Sequence, residues 1–192
     1  MKSFLTFFTF LCMLQQINSQ ELPYYEIPEA PANYTAGTVA GRMIDGLGFR
    51  YYWATEGLTE KDLAYKPGEK TRSILDTADH ILVLSIMTLS ALEKTDMVFP
   101  KQGSLSFKEM RKMTLENFKK SSDILKKSKD LSEYVMKIKR GNGEVAEYPF
   151  WNQLNGPIAD AIWHVGQIVS FRRSAGNPLP KGVSLLTGKV RK

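Results

Sequence analysis

Cysteine is nearly absent from this 192-residue chain, which has only Cys12, and histidine is almost as scarce, with only His80 and His164. One cysteine cannot form an intrachain disulfide. If the N-terminal segment that carries it is removed, no thiol remains for catalysis or for thiolate metal ligation. Two histidines confine imidazole chemistry to one site at most. The uncharged run from Ser3 to Leu14 also stops short of the roughly twenty apolar residues that a membrane-crossing helix needs. No internal repeat and no low-complexity tract is found.

The short N-terminal run does have the profile of a signal peptide. Met1 and Lys2 supply a positive start, the apolar stretch follows, and polar Gln15, Gln16 and Asn18 lead to Ser19, small enough to precede a cleavage before Gln20. Two other readings compete with it. Cys12 as a lipid-attachment residue is disfavoured by bulky Leu11, where a small residue is wanted. An uncleaved anchor is disfavoured by the length of the run. The expectation is a signal peptide over residues 1–19, no transmembrane span, and a protein exported to the periplasm or the extracellular space.

Removal of that segment leaves roughly 170 residues, the size of one domain with a well-buried core. The chain carries a formal charge of +6, from 26 Lys and Arg against 20 Asp and Glu. That excess is not focused as nucleic-acid binding would require. Lys108, Lys112, Lys119, Lys120, Lys126, Lys127 and Lys129 lie along one amphipathic segment with Glu109, Glu116 and Asp123 between them, which is the pattern of a solvated helix face. Lys189, Arg191 and Lys192 form a loose basic tail. No nucleic-acid partner is expected.

Proline and glycine punctuate the rest. Gln20 to Asn33 contains Pro23, Pro28 and Pro31 and reads as an extended arm over the domain. Thr35 caps a first helix to about Glu56, ended by Gly57. Gly37, Gly41, Gly46 and Gly48 inside it each cost about 1 kcal/mol of helix propensity, which is tolerable where another backbone approaches closely. Thr59 and Asp62 start a short turn stopped by Pro67. Ser73 with Asp76 caps a second helix to about Glu93, apolar on all sides and therefore expected to be buried all round. Ser106 with Glu109 caps a third, lysine-rich helix to about Ser128. Tyr134 to Ile138 alternates, and Gly141-Asn142-Gly143 followed by Glu144 to Tyr148 suggests a small hairpin. Gly156 and Pro157 open a fourth helix, ended by Gly176-Asn177-Pro178. The predicted class is all-α, a four-helix bundle over residues 35–178 with long connections, an arm over 20–34 and a basic tail over 179–192.

Between Glu147 and Arg172 the one residue certain to be charged is Asp160, on a helix whose apolar stripe runs Ile158, Ala161, Ile162, Val165, Ile168 and Val169. If that helix is central, an ionised carboxylate on it sits in low dielectric and needs a cation or strong donors. His164 stands one turn further along the same face. On the second helix His80 lies where the surroundings become apolar. Two imidazoles and a carboxylate converging from two helices make three protein ligands with an open position, the pattern of a catalytic metal site. The competing reading gives each residue a hydrogen-bonded structural role, with Asp160 paired to Arg42 or Arg50 of the first helix.

The stretch from Asn155 to Pro178 contains His164-Val-Gly-Gln-Ile168, then Arg172 and Gly176-Asn177-Pro178. It resembles the final helix of the DinB/YfiT-like superfamily of four-helix bundles. Trp53 to Pro67 looks like that family's first-helix end and following turn, and Asp79-His80-Ile81 looks like its second-helix histidine. The resemblance covers about Ala36 to Asn177. It implies a divalent metal, often zinc or nickel, held by three histidines, of which His80 and His164 match two and Asp160 stands at the third. The carboxylate keeps a ligand there and adds negative charge, so manganese or ferrous iron joins the list. Family activities imply thiol S-transfer or isomerisation.

Two functions follow. One is a metal-dependent hydrolase or transferase of unknown small-molecule substrate, with Asp76, Gln167 or tyrosines of the arm supporting the metal residues. The other is a non-catalytic exported bundle that binds a small ligand or an envelope partner. Oligomeric state, a homodimer included, is left open.

Overall fold

The computed structural model describes residues 22–191, so the predicted signal peptide, with Cys12, lies outside the described residues. Four long helices dominate: α1 (Ala36–Thr55), α3 (Ile74–Glu93), α4 (Phe107–Lys127) and α6 (Ala159–Ser174). Single turns α2 (Glu60–Leu63) and α5 (Phe150–Gln153) and two hairpins complete the described chain, β1 (Met136–Lys139) with β2 (Val145–Tyr148) and β3 (Val183–Ser184) with β4 (Lys189–Val190). α1 packs on α4, α4 on α3, α3 on α6 and α6 on α1, so the four close a ring around one core. Ile44, Leu47, Tyr51, Ile81, Phe118 and Ile168 fill that core.

The helix starts follow local chemistry. Thr35, Thr59, Ser73 and Ser106 each accept a hydrogen bond from a backbone N–H in the first turn, and the side chain three positions on accepts one from the cap backbone N–H. This satisfies donors that a helix end otherwise leaves orphaned. The predicted close approach in α1 is present: a Cβ on Gly37 would run into the Leu125 carbonyl oxygen, and one on Gly41 would lie 3.1 Å from the Ser122 carbonyl oxygen. α1 and α4 therefore touch backbone to backbone.

α3 is buried over most of its circumference, though its first turn, with Leu75 and Asp76, faces solvent. Among the described residues it alone is long and apolar enough to cross a membrane, and 67% of that stretch lies buried inside the bundle. The N-terminal arm does lie over the domain. Its Tyr24 is buried with the hydroxyl on Asp45, a fully buried carboxylate that Lys126 of α4 neutralises.

Two expectations need correction. The last helix does not begin at Gly156. The chain is already helical at Phe150, and a wide turn over Leu154–Ile158 carries Pro157 within it, with Gly156 at φ −90°, ψ −113°. Proline removes one N–H and excludes its predecessor from helical geometry, so the turn widens and the helix restarts at Ala159. The C-terminal segment is not loose either. β3 and β4 pair, Val183 and Val190 pack with Ile27, Phe49 and Trp53, and Lys189 Nζ reaches Glu26 at 2.9 Å. Burial of that apolar side is what a charge count could not reveal.

Two capping carboxylates set the acid limit of the fold. The Thr59 backbone N–H, and then the Asn177 amide, hold the Asp62 carboxyl below the ordinary range; the Ser73 hydroxyl and backbone N–H do the same for Asp76. Such groups bind protons more weakly folded than unfolded. Their contribution is present above the ordinary carboxylate value and is lost as pH falls through it and below. The urea midpoint is expected to fall on moving from pH 6 to below about pH 4. In Asp62→Asn/Asp76→Asn the fall should be shallower, and an equally steep one would refute the assignment.

Candidate metal centre

The three chemistry-bearing residues stand on two helices that the fold brings together at one depth. His80 projects from the second turn of α3. Asp160 lies in the first turn of α6, just past the wide turn. His164 follows one turn later. Asp160 Oδ2 lies 3.3 Å from His80 Nε2, and Asp160 Oδ1 lies 3.3 Å from His164 Nε2. The two imidazoles stand perpendicular with ring centroids 4.6 Å apart. One ligand atom from each residue falls within 4.8 Å of the others.

Two of these separations, each to a different Asp160 oxygen, match the ligand spacing around an ion, and the three single ligand atoms lie within 4.8 Å of one another, so one ion would draw them together. Donors about 2.0–2.2 Å from a metal at tetrahedral angles lie roughly 3.3–3.6 Å from each other. One tautomer of His164 points the same way. His164 Nδ1 is 2.7 Å from Gln167 Oε1, and with the proton on Nδ1 donated to that oxygen, Nε2 turns a lone pair toward Asp160. A lone pair facing a carboxylate oxygen needs a proton or a cation between them. On His80, burial first, then the positive charge of Arg72, depresses the imidazole pKa, against the opposing effect of its hydrogen bond to Asp160. That ring is therefore neutral at physiological pH, the form that binds metals.

The site is more open than the sequence suggests. Asp160 keeps 38% of its side chain exposed, against 27% for His80 and 13% for His164. Low dielectric is therefore not what favours a cation here; two imidazole nitrogens facing one carboxylate are. The arginine alternatives are not at Asp160: Arg42 donates to the Pro28 carbonyl at 2.6 Å and Arg50 to the Gly46 carbonyl at 3.0 Å.

Of the supporting residues considered from sequence, Gln167 is in place. Asp76 is engaged in capping Ser73, and in the arm Tyr24 is bonded to Asp45 while Tyr25 stacks on Trp53. Partners of metal-bound imidazoles typically change metal affinity by about 10–100-fold. Gln167→Leu is expected to weaken metal binding by roughly that factor. A chelator-competition titration checks it, and an unchanged affinity would show that Gln167 does not orient His164.

Arg172 is the residue that sequence reasoning underused. It is 1% exposed, and its guanidinium donates to the carbonyls of Trp53, Ala54 and Asn177 and to the Asn177 side chain. Asn177 in turn donates to Asp62 and to the Gly57 carbonyl. This network ties the ends of α1 and α6 to α2. The Arg and Gly-Asn-Pro motif is thus structural, away from the metal residues.

Among solved structures, a DinB family member protein from Shewanella denitrificans matches 82% of this chain and 92% of its own, with TM-score 0.50 and 11% sequence identity. The chain has the DinB-type fold. At that identity the likeness speaks for the fold and leaves the activity open. No protein-family model matches the sequence, and no curated protein does.

Proposed function

We propose that this protein is a divalent-metal-dependent enzyme, a hydrolase or a transferase, in which His80, Asp160 and His164 hold the ion. The observation that carries this reading is the carboxylate of Asp160 between two imidazole Nε2 atoms, with Gln167 on the far ring nitrogen of His164. Two imidazoles and one carboxylate suit zinc or ferrous iron, with manganese and nickel as further candidates. When bound, such an ion polarises a substrate oxygen or makes a bound water acidic near neutral pH.

The protein residues would do the rest. Gln167 orients His164, neutral His80 supplies a second nitrogen donor, and the exposed side of Asp160 leaves an approach for substrate. The carboxylate also lowers the formal charge of the centre by one relative to three imidazoles. Export, which the N-terminal segment supports, would remove the protein from cytosolic thiols, so hydrolysis of a small molecule is the favoured reaction. Elemental analysis of protein purified without a histidine tag tests the reading, with about one equivalent of metal expected. Less than roughly a tenth of an equivalent after incubation with zinc, nickel, manganese or ferrous iron would leave the non-catalytic bundle instead.

A further inference from the structure

The outward face of α1 has the wrong character for a solvated helix. An exposed stripe is ordinarily polar. Here it presents Val39 at 55% and Met43 at 47% exposure, beside Arg42, Gly46 and Arg50 at helical spacing. Two hollows meet on this stripe. One, of about 660 Å³, is walled mainly by apolar groups including Phe150, Trp151 and Leu154, and the other, of about 490 Å³, holds Arg42, Arg50, Ile162 and Leu186. Val39 and Met43 line both, so the two form one trough. Each is within the roughly 300–1,000 Å³ of small-molecule sites.

The charged end is unmatched. No acid lines the second hollow, and among the described residues the guanidiniums of Arg42 and Arg50 each donate only to one carbonyl. A guanidinium has five N–H donors, so most of this capacity is free. The one acid on the rim, Asp130, is turned onto the backbone N–H and hydroxyl of Ser132. A second copy presenting this same face would bring no free carboxylate to either arginine.

We propose that the trough binds a free single-chain amphiphilic anion of the fatty-acid class. Its carboxylate lies between Arg42 and Arg50, and its chain runs over Val39 and Met43 toward Phe150 and Leu154. From Gly46, midway between the two arginines, back to Ala36 the helix rises about 15 Å, room for the greater part of a long acyl chain. Charge selects the anion, and the apolar floor selects the chain. The site lies on the side of α6 marked by Ile162, whereas Asp160 and His164 face His80 on α3, so it does not depend on the metal centre.

The test titrates delipidated protein with palmitate below its micelle concentration, by calorimetry and tryptophan fluorescence, with hexadecanol as the uncharged probe. Saturable binding of one palmitate per chain is expected, unaffected by a metal chelator. Arg42→Gln/Arg50→Gln should weaken palmitate about tenfold or more and leave hexadecanol unchanged. Met43→Glu should weaken both, and Val39→Gln serves if circular dichroism shows that Met43→Glu is not folded. The proposal is overturned by absence of palmitate binding or by binding indifferent to the arginine pair. It is equally overturned by a concentration-dependent dimer that Met43→Glu dissociates, which makes a second copy the occupant. Binding only to phosphatidylglycerol vesicles, which makes it a membrane surface, overturns it too.

Discussion

Asp160→Ala is expected to lower metal affinity by more than about 100-fold, because even residues that merely orient a metal ligand are worth about 10–100-fold and Asp160 is placed to be a ligand itself. The loss should be specific. Asp160 is 38% exposed and among the described residues its only polar partners are the two histidines, so its removal takes little from the packing. Alanine also favours the helix. Apoprotein melting should therefore stay close to wild type while the metal-dependent increase in melting temperature disappears, since an ion that binds only the folded state stabilises in proportion to its affinity. Asp160→His makes the complementary case. It restores the three-imidazole set implied by the family resemblance, so metal should be retained with preference moved toward zinc and nickel and away from manganese and ferrous iron. Chelator competition with each metal reads both variants. An Asp160→Ala protein that keeps wild-type affinity would remove Asp160 from the site.

The parts of this architecture that were legible in the sequence are those written by near neighbours. Ser73 with Asp76 and Ser106 with Glu109 are three residues apart, and the hydrogen bonds that start α3 and α4 close inside that window. Gly141-Asn142-Gly143 likewise announces the β1–β2 turn. By contrast, β3 and β4 have two residues each and owe their order to contacts from the far end of the chain, such as Glu26 with Lys189. No local pattern encodes that. The start of α6 failed for a related reason: Pro157 reads as the first turn of the helix, but the helical turn at Phe150 before it depends on packing against Tyr134 and the core.

The site was legible through scarcity. With only two histidines, and one carboxylate on a helix otherwise uncharged before Arg172, few constellations were available, and the four-residue step from Asp160 to His164 put both on one face. Its openness was not legible, because helical periodicity gives a direction for each side chain and no information about what lies above it. Gln167 had a signal in its three-residue spacing from His164, but that spacing is met by many pairs that never touch.

Arg172→Met is expected to cost about 3–5 kcal/mol, the range for removing one member of a buried charged network. The position continues the core stripe of α6 through Ile158, Ala161, Val165 and Ile168, so an arginine there should have signalled a buried cation. Its guanidinium sits at the C-terminal end of α1, where carbonyls lack helical partners and the dipole favours positive charge. Methionine fills similar space yet leaves the Trp53 and Ala54 carbonyls without their donor and frees Asn177, which holds Asp62 in its capping position. The melting temperature should fall by roughly 10 °C or more for a domain of this size. Asp62 should also lose part of what depresses its pKa, so the acid sensitivity described above should weaken in the same variant. Because Arg172 is remote from His80, Asp160 and His164, metal stoichiometry measured well below the melting point should remain at the wild-type value. A variant that melted normally would show that the carbonyls find water, and one that lost its metal while folded would make the Arg172 network part of the site.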